Sequence, residues 1–287
     1  MAHRKYRKKS HCCMKNRLCF WLPGFLGVMI FMIIPFGDMV IRSFKNVMQT
    51  EFCGLQNYDT VFHNKAFWMA VKYTAAFVGA GLPLLIIVSL LFSLRLNKSR
   101  YGQKLKSAFL FPIAIPTVAI VLIWKLFFYK NGIINTFLLD IGGKSVDWLG
   151  SDAAFWVLII SYLWKNTGYT IVLWMSGMKN IPLSIMEAAK VDGANRWQCF
   201  RYITLPMLKP VLYMIVILSF LNSFKIFRED YLIAGAYPQE KMYLLQHLFN
   251  NWFTNLEIDK MSATAVIIAI IFAVGMLLMK RGLSWED

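Results

Sequence analysis

The sequence predicts an all-α polytopic membrane protein with six transmembrane helices, and three observations carry that reading. The chain of 287 residues is 58% hydrophobic, against about 45–50% for a soluble domain. Its mean hydropathy is +0.51. Six apolar runs, each of about 20 residues, recur along it, and that length crosses a hydrocarbon core as a helix. The formal charge of +16 raises the alternative of nucleic-acid binding. That function needs basic residues gathered on a soluble surface within a recognisable module. Here they lie between apolar runs, so membrane topology accounts for them.

The spans are expected at 18–41, 69–94, 107–128, 153–177, 207–227 and 261–279. They define a membrane domain over 18–279, flanked by a basic tail at 1–17 and a short tail at 280–287. The first run follows basic residues, as a signal peptide would, but it is long and lacks a small-residue cleavage site, so it reads as an anchor. Lysine and arginine concentrate on one side. The first tail carries Arg4, Lys5, Arg7, Lys8, Lys9, Lys15 and Arg17, the 95–106 loop Arg95, Lys98, Arg100, Lys104 and Lys106, the third loop Lys179, Lys190, Arg196, Arg201 and Lys209, and the last tail Lys280 and Arg281, while a smaller set that includes Arg42, Lys45, Lys130 and Lys144 falls on the other side. The asymmetry places both termini in the cytoplasm of a cell-membrane protein and Cys53 outside. Pro23, Pro35, Pro83, Pro112 and Pro116 fall in spans and read as kinks. The cysteines Cys12, Cys13, Cys19, Cys53 and Cys199 lack metal-ligand spacing and read as free thiols. The histidines His3, His11, His63 and His247 are scattered and read as solvated side chains.

The inner loop over 178–206 is the most informative segment. It reads Glu187-Ala188-Ala189, three residues, Gly193, nine residues, then Ile203-Thr204-Leu205-Pro206. Pro182 suits the start of a first short helix. Gly193 suits a left-handed cap at its end, and Asn195 suits the N-cap of a second helix. Trp197, Phe200, Arg201 and Thr204 recur at helical spacing, and Pro206 is expected to end that helix at the mouth of the fifth span. A loop this long and regular predicts a docking element.

This pattern resembles the cytoplasmic EAA loop of binding-protein-dependent ABC transporter permeases, with every defined position matched. The Asp192-Gly193-Ala194 triplet is similar to the sugar branch, the maltose-type and glycerol-phosphate-type permeases. The resemblance extends to Phe52, Gly54, Leu55, Asn57 and Tyr58, to Phe67-Trp68, and to Trp164-Lys165-x-Thr167-Gly168 followed by Asn180-Ile181-Pro182. It departs at Ala234-Gly235-Ala236-Tyr237-Pro238, where many relatives carry a Thr-Gly-Gly-Pro-like turn. The resemblance implies a coupling helix seated in a cleft of a cytoplasmic ATPase, with Glu187, Ala188, Ala189, Asp192, Gly193, Ile203, Leu205 and Pro206 as coupling residues. Glu187 would make a polar contact, Ala188 and Ala189 would allow close approach, and Gly193 would set the angle between the helices. The implied partners are a second permease, two ATPase subunits, an extracytoplasmic solute-binding protein, membrane lipid and a carbohydrate. No phosphate-binding loop occurs in the chain. ATP is therefore expected to be used by a partner, with no cofactor or metal bound here and no catalytic residue.

Several polar residues fall inside the expected spans. Lys165 lies about 18 Å from either end of the fourth span at a rise of about 1.5 Å per residue. A charge there costs about 2.5–3.5 kcal/mol on insertion scales, so it should face a wet cavity or a partner. Tyr162 and Tyr169 share its helix face, and Asn166 lies beside them. In the fifth span Ser219, Asn222 and Ser223 share a face. These seven are candidates for a substrate pathway, against the alternative of helix–helix hydrogen bonding. The competing functions are a permease of the same class for a peptide or osmolyte, a membrane-embedded enzyme, and a scaffold without transport. The enzyme needs an acidic or histidine cluster at a membrane face, which the sequence does not display.

Overall fold

A computed structural model describes residues 21–97, 99 and 102–283. The tail at 1–17, with Cys12 and Cys13, and Cys19 lie outside the described residues, as do 284–287. Among the described residues there is no strand, only a single bridge between Lys45 and Phe52. The chain forms two compact units. One runs to His63 and takes in Trp252–Ile271. The other comprises Asn64–Asn251 and resumes at Phe272.

The first unit opens with helix α1 (Trp21–Arg42), which widens into a π turn over Met29–Ile33 just before Pro35. A π turn relieves the clash between a proline ring and the preceding turn. The chain then folds back as a hairpin onto α2 (Gln56–Phe62). Asn57 anchors it, donating from Nδ2 to the carbonyls of Ser43 at 2.9 Å and Lys45 at 2.7 Å. The Ser43 and Tyr58 hydroxyls meet at 2.7 Å. Of the residues read from sequence as part of an outer segment, Asn57 therefore holds its backbone and Tyr58 the Ser43 side chain.

The second unit is built on α3 (Lys65–Asn97), which passes through Pro83. Next come α4 (Gly102–Ala114) and α5 (Thr117–Phe128). The third span, expected as one helix over 107–128, is thus two helices. Pro116 sits at the break with φ −58° and ψ 139°, because proline has no amide hydrogen to continue the ladder and Ile115 before it is pushed from helical geometry. A turn leads into α6 (Ile133–Asp140). Asn135 fixes the segment that follows, donating to the carbonyl of Val146 at 2.8 Å and accepting from Trp148 Nε1 at 3.0 Å.

Helix α7 (Ala154–Lys179) is the central element. Its buried face packs on α3 through Phe77, Leu85, Leu158, Ile159 and Tyr162. At Gly168 it meets α4 so closely that an added Cβ would lie 1.7 Å from the Phe109 carbonyl oxygen. Lys165 and Asn166 dilute its hydropathy. It is therefore absent from the five stretches long and apolar enough to cross a membrane, Trp21–Arg42, Lys65–Asn97, Thr117–Asp140, Lys209–Ala234 and Ile258–Leu278, beside the shorter apolar helix Leu105–Ala114. An interior helix shielded by its neighbours tolerates polar groups that a lipid-facing one does not.

After α7 come α8 (Leu183–Val191) and α9 (Arg196–Cys199), then α10 (Lys209–Ser223), α11 (Phe227–Ala234), α12 (Leu245–Thr254) and α13 (Ile258–Leu283). A 3₁₀ turn over Phe224–Ile226 joins α10 to α11. The fifth span therefore runs past its expected end at Phe227 to Ala234, and carries Arg228, Glu229 and Asp230 with it. Before α7 and after α11 the chain is tied together by Lys241, whose Nζ lies 2.5 Å from Asp152 Oδ2. The hydrogen bond from Lys241 holds the Asp152 carboxyl below its ordinary range, so this link is present at neutral pH and is lost as acid protonates Asp152.

Candidate functional site

Two sites emerge, one on the 178–206 loop and one along α7. On the loop, Pro182 caps α8 at its N-terminus with φ −60° and ψ 130°. Gly193 ends it at φ +82°, a left-handed conformation that favours glycine. Its N–H donates to the Lys190 carbonyl at 3.1 Å, and the Ala194 N–H donates to Ala189 at 2.9 Å. Asn195 then starts α9 with a reciprocal capping box: Gln198 N–H donates to its Oδ1 at 2.9 Å, and Gln198 Oε1 accepts from the Asn195 N–H at 2.8 Å. The two-helix geometry expected from sequence is present.

The end of the second helix differs from expectation. Pro206 does not terminate it. A π turn over Phe200–Thr204 runs into Leu205–Met207, and the break falls at Leu208, before α10. The widened turn makes room for the Pro206 ring, so the chain stays helical through it. Ile203, Leu205 and Pro206 are half-buried, whereas Glu187, Ala188, Asp192 and Gly193 are exposed and Ala189 is half-buried. Apolar side chains share the exposed surface: Leu183 is 76% exposed, Val191 87%, Trp197 67% and Tyr202 75%. Cys199 is buried, tucked beneath the loop.

Along α7, the polar residues divide by what they bond. Tyr162 is fully buried and donates to the Ser219 carbonyl at 2.7 Å. Asn166 is buried and donates to the Tyr162 carbonyl at 2.9 Å. Ser219 and Ser223 are buried, and Ser223 donates to the Phe220 carbonyl at 2.6 Å. These groups lock α7 to α10 or bond within one helix. Lys165, Tyr169 and Asn222 keep partial exposure, and Asn222 Oδ1 accepts from Lys225 at 2.8 Å.

The partner of Lys165 is Glu229, in an ion pair across 64 residues of sequence. The Glu229 side chain is 0% exposed and that of Lys165 20%. Asp230 is buried beside it, and its Oδ2 lies 3.9 Å from Nε2 of His247. His247 is also fully buried, contrary to its reading as a solvated side chain, and packs edge-on against Phe227 at 4.8 Å. The sequence held a signal for the acidic pair. Ser219, Ser223, Ile226 and Asp230 follow at helical spacing, and all four are buried. The charged triplet Arg228-Glu229-Asp230 reads as the end of the apolar run and hides that continuation. Cys53 and Cys199 are free thiols. Among the described residues no cluster of three or more metal-ligating side chains occurs.

An all-helical, multi-pass bundle with a capped two-helix loop and a polar seam inside the span region defines the class: the membrane-spanning subunit of a transport system. Residues 81–284 match the family described as binding-protein-dependent transport system inner membrane component, and the chain belongs to it. The chain is 31% identical to the probable ABC transporter permease protein YesP of Bacillus subtilis, over 97% of this chain and 94% of that protein. It is 34% identical to the trehalose/maltose transport system permease protein MalF of Thermococcus litoralis, over 76% of each. The crystal structure of a bacterial ABC transporter that imports the acidic polysaccharide alginate superposes with a TM-score of 0.80 at 20% identity, covering 98% of both chains. The chain is thus a non-enzymatic transport subunit of the inner-membrane component class.

Proposed function

We propose that this chain is one of two permease subunits of an ATP-driven importer, and that it moves a sugar or oligosaccharide delivered by an extracytoplasmic solute-binding protein. The observation that carries the coupling half of the reading is the loop around Gly193. Its two capped helices present a fixed surface with four large exposed side chains, and a monomer has no reason to leave such a surface bare. Two ATPase subunits on the cytoplasmic side cover it and consume the ATP, and the chain binds no cofactor. The names of several relatives support the sugar, among them a lactose permease from Rhizobium radiobacter. Lys165, Tyr169 and Asn222 face the pathway, while Tyr162, Asn166, Ser219 and Ser223 fix the helices that carry them. A peptide or osmolyte importer would share the coupling loop and differ in uptake. Uptake of labelled saccharides, peptides and betaine by the assembled system separates these, and uptake confined to peptide or betaine would replace the sugar.

Two outcomes test the arrangement. Glu187→Lys reverses an exposed charge on α8 and leaves the helix intact. Retention of ATPase on a tagged permease should fall on the order of ten-fold, about 1.4 kcal/mol, at normal membrane insertion. Unchanged retention would remove Glu187 from the contact. With both termini cytoplasmic, Cys53 is extracytoplasmic. In a variant whose other cysteines are serine, a membrane-impermeant maleimide should label it in intact cells. Protection of Cys53 alongside labelling of a cysteine restored in the 1–17 tail would invert the topology.

A further inference from the structure

The Lys165–Glu229 pair has an asymmetry with a functional consequence. The lysine side chain keeps 20% exposure and the glutamate none. A solute beside α7 therefore reaches the lysine side chain, whereas the carboxylate paired with it is closed off. Glu229, and not the neighbouring Asp230, is the ion-pair partner of Lys165. Successive residues on a helix point about 100° apart, and its Oδ2 lies toward His247 at 3.9 Å. We propose that Glu229 is a specificity-determining residue, and that by neutralising Lys165 it sets the pathway to accept uncharged saccharides and to reject anionic ones. This rests on the reading that Lys165 faces the substrate.

The physical argument is one of charge in a poorly screened place. An ammonium carries three N–H donors. Paired with Glu229, it still offers donors to sugar hydroxyls while presenting almost no net charge. A uronate approaching it also meets the buried Glu229 carboxylate, and like charges in a medium of low effective dielectric repel strongly. Remove the glutamate charge and the same lysine becomes an anion site.

The test uses the whole complex, permeases and ATPases purified without nucleotide, with maltopentaose as the neutral probe and a mannuronate pentasaccharide as the anionic one. Binding is followed by calorimetry at low and high salt. Glu229→Gln, which keeps the side-chain shape, should raise affinity for the uronate on the order of ten-fold or more, with only part of the gain lost at high salt, because a partly buried charge is screened less than an exposed one. Affinity for maltopentaose should change less than about two-fold. The double variant Lys165→Met with Glu229→Gln should return uronate binding to the wild-type level. Lys165→Met alone strands the buried carboxylate, and should instead favour a cationic glucosamine pentamer. An unchanged uronate affinity in Glu229→Gln, or a gain that persists in the double variant, overturns the proposal. Failure of both single variants to assemble makes the pair a structural strut and also overturns it. If the wild-type system takes up no labelled saccharide while the charge-dependent gains appear, the sugar assignment fails and the role of Glu229 stands.

Discussion

Gly168→Ala should prevent this permease from forming a stable bundle. The Cβ it adds would sit 1.7 Å from the Phe109 carbonyl oxygen, 2.5 Å from its carbon and 3.2 Å from its Cα. All three are backbone atoms of α4, so no rotamer change makes room. The helices must separate by more than an ångström, and the contacts between α4 and α7 are lost together. Overpacking against a side chain costs about 1–3 kcal/mol, and backbone against backbone should exceed that range. The expected result is a fall in the thermal midpoint of the detergent-solubilised protein of ten degrees or more (on the order of 2–4 °C per kcal/mol at this size), or loss of the monodisperse peak altogether. Gly79→Ala is the matched control. Its Cβ meets nothing within 4 Å, and alanine in a helix interior gains up to about 1 kcal/mol over glycine. A Gly168→Ala protein as stable as wild type would mean that α4 does not pack here.

Gly193→Pro should uncouple the loop from the ATPase proposed to dock there while leaving the bundle intact. Gly193 holds φ +82°, whereas proline is locked near about −65°. The substitution also removes the N–H that bonds the Lys190 carbonyl at 3.1 Å. Asp192, with φ −71° and ψ 3°, would precede a proline and be forced toward extended geometry. All three effects change the angle between α8 and α9, and with it the relation of Val191 to Trp197 on the exposed surface. A surface that no longer matches its partner should lose ATPase retention by more than about ten-fold, beyond the effect of the single charge reversal at Glu187. A graded series makes the test specific. Asparagine visits the left-handed region readily and should couple nearly as well as glycine. Alanine pays roughly 1–2 kcal/mol and should fall between. If proline and asparagine variants retain ATPase equally, the left-handed cap is not what positions the coupling surface.

The loop was legible from sequence residue by residue. Its features are local: a glycine cap, an asparagine cap and a helix start at proline each act within one turn of the residue that causes them. The spans were legible for a similar reason, since about 20 apolar residues have one low-energy arrangement in a bilayer, a helix that satisfies its own backbone. Pro206 shows where local reading stops. The rule that proline ends a helix assumes a standard α turn before it, and the π turn over Phe200–Thr204 removes the clash.

The sequence by itself determined the class of protein, the helical character of the spans and the two capped helices of the 178–206 loop, because those follow from patterns within a few residues of one another. The partners inside the bundle were decided only by tertiary structure. Lys165 finds Glu229 across 64 residues, Tyr162 finds the Ser219 carbonyl across 57, and Gly168 meets the Phe109 backbone from a different helix. Which residues meet depends on where and at what angle the helices cross. Crossing is set by the summed packing of whole helix faces, and no short stretch of the chain encodes that sum.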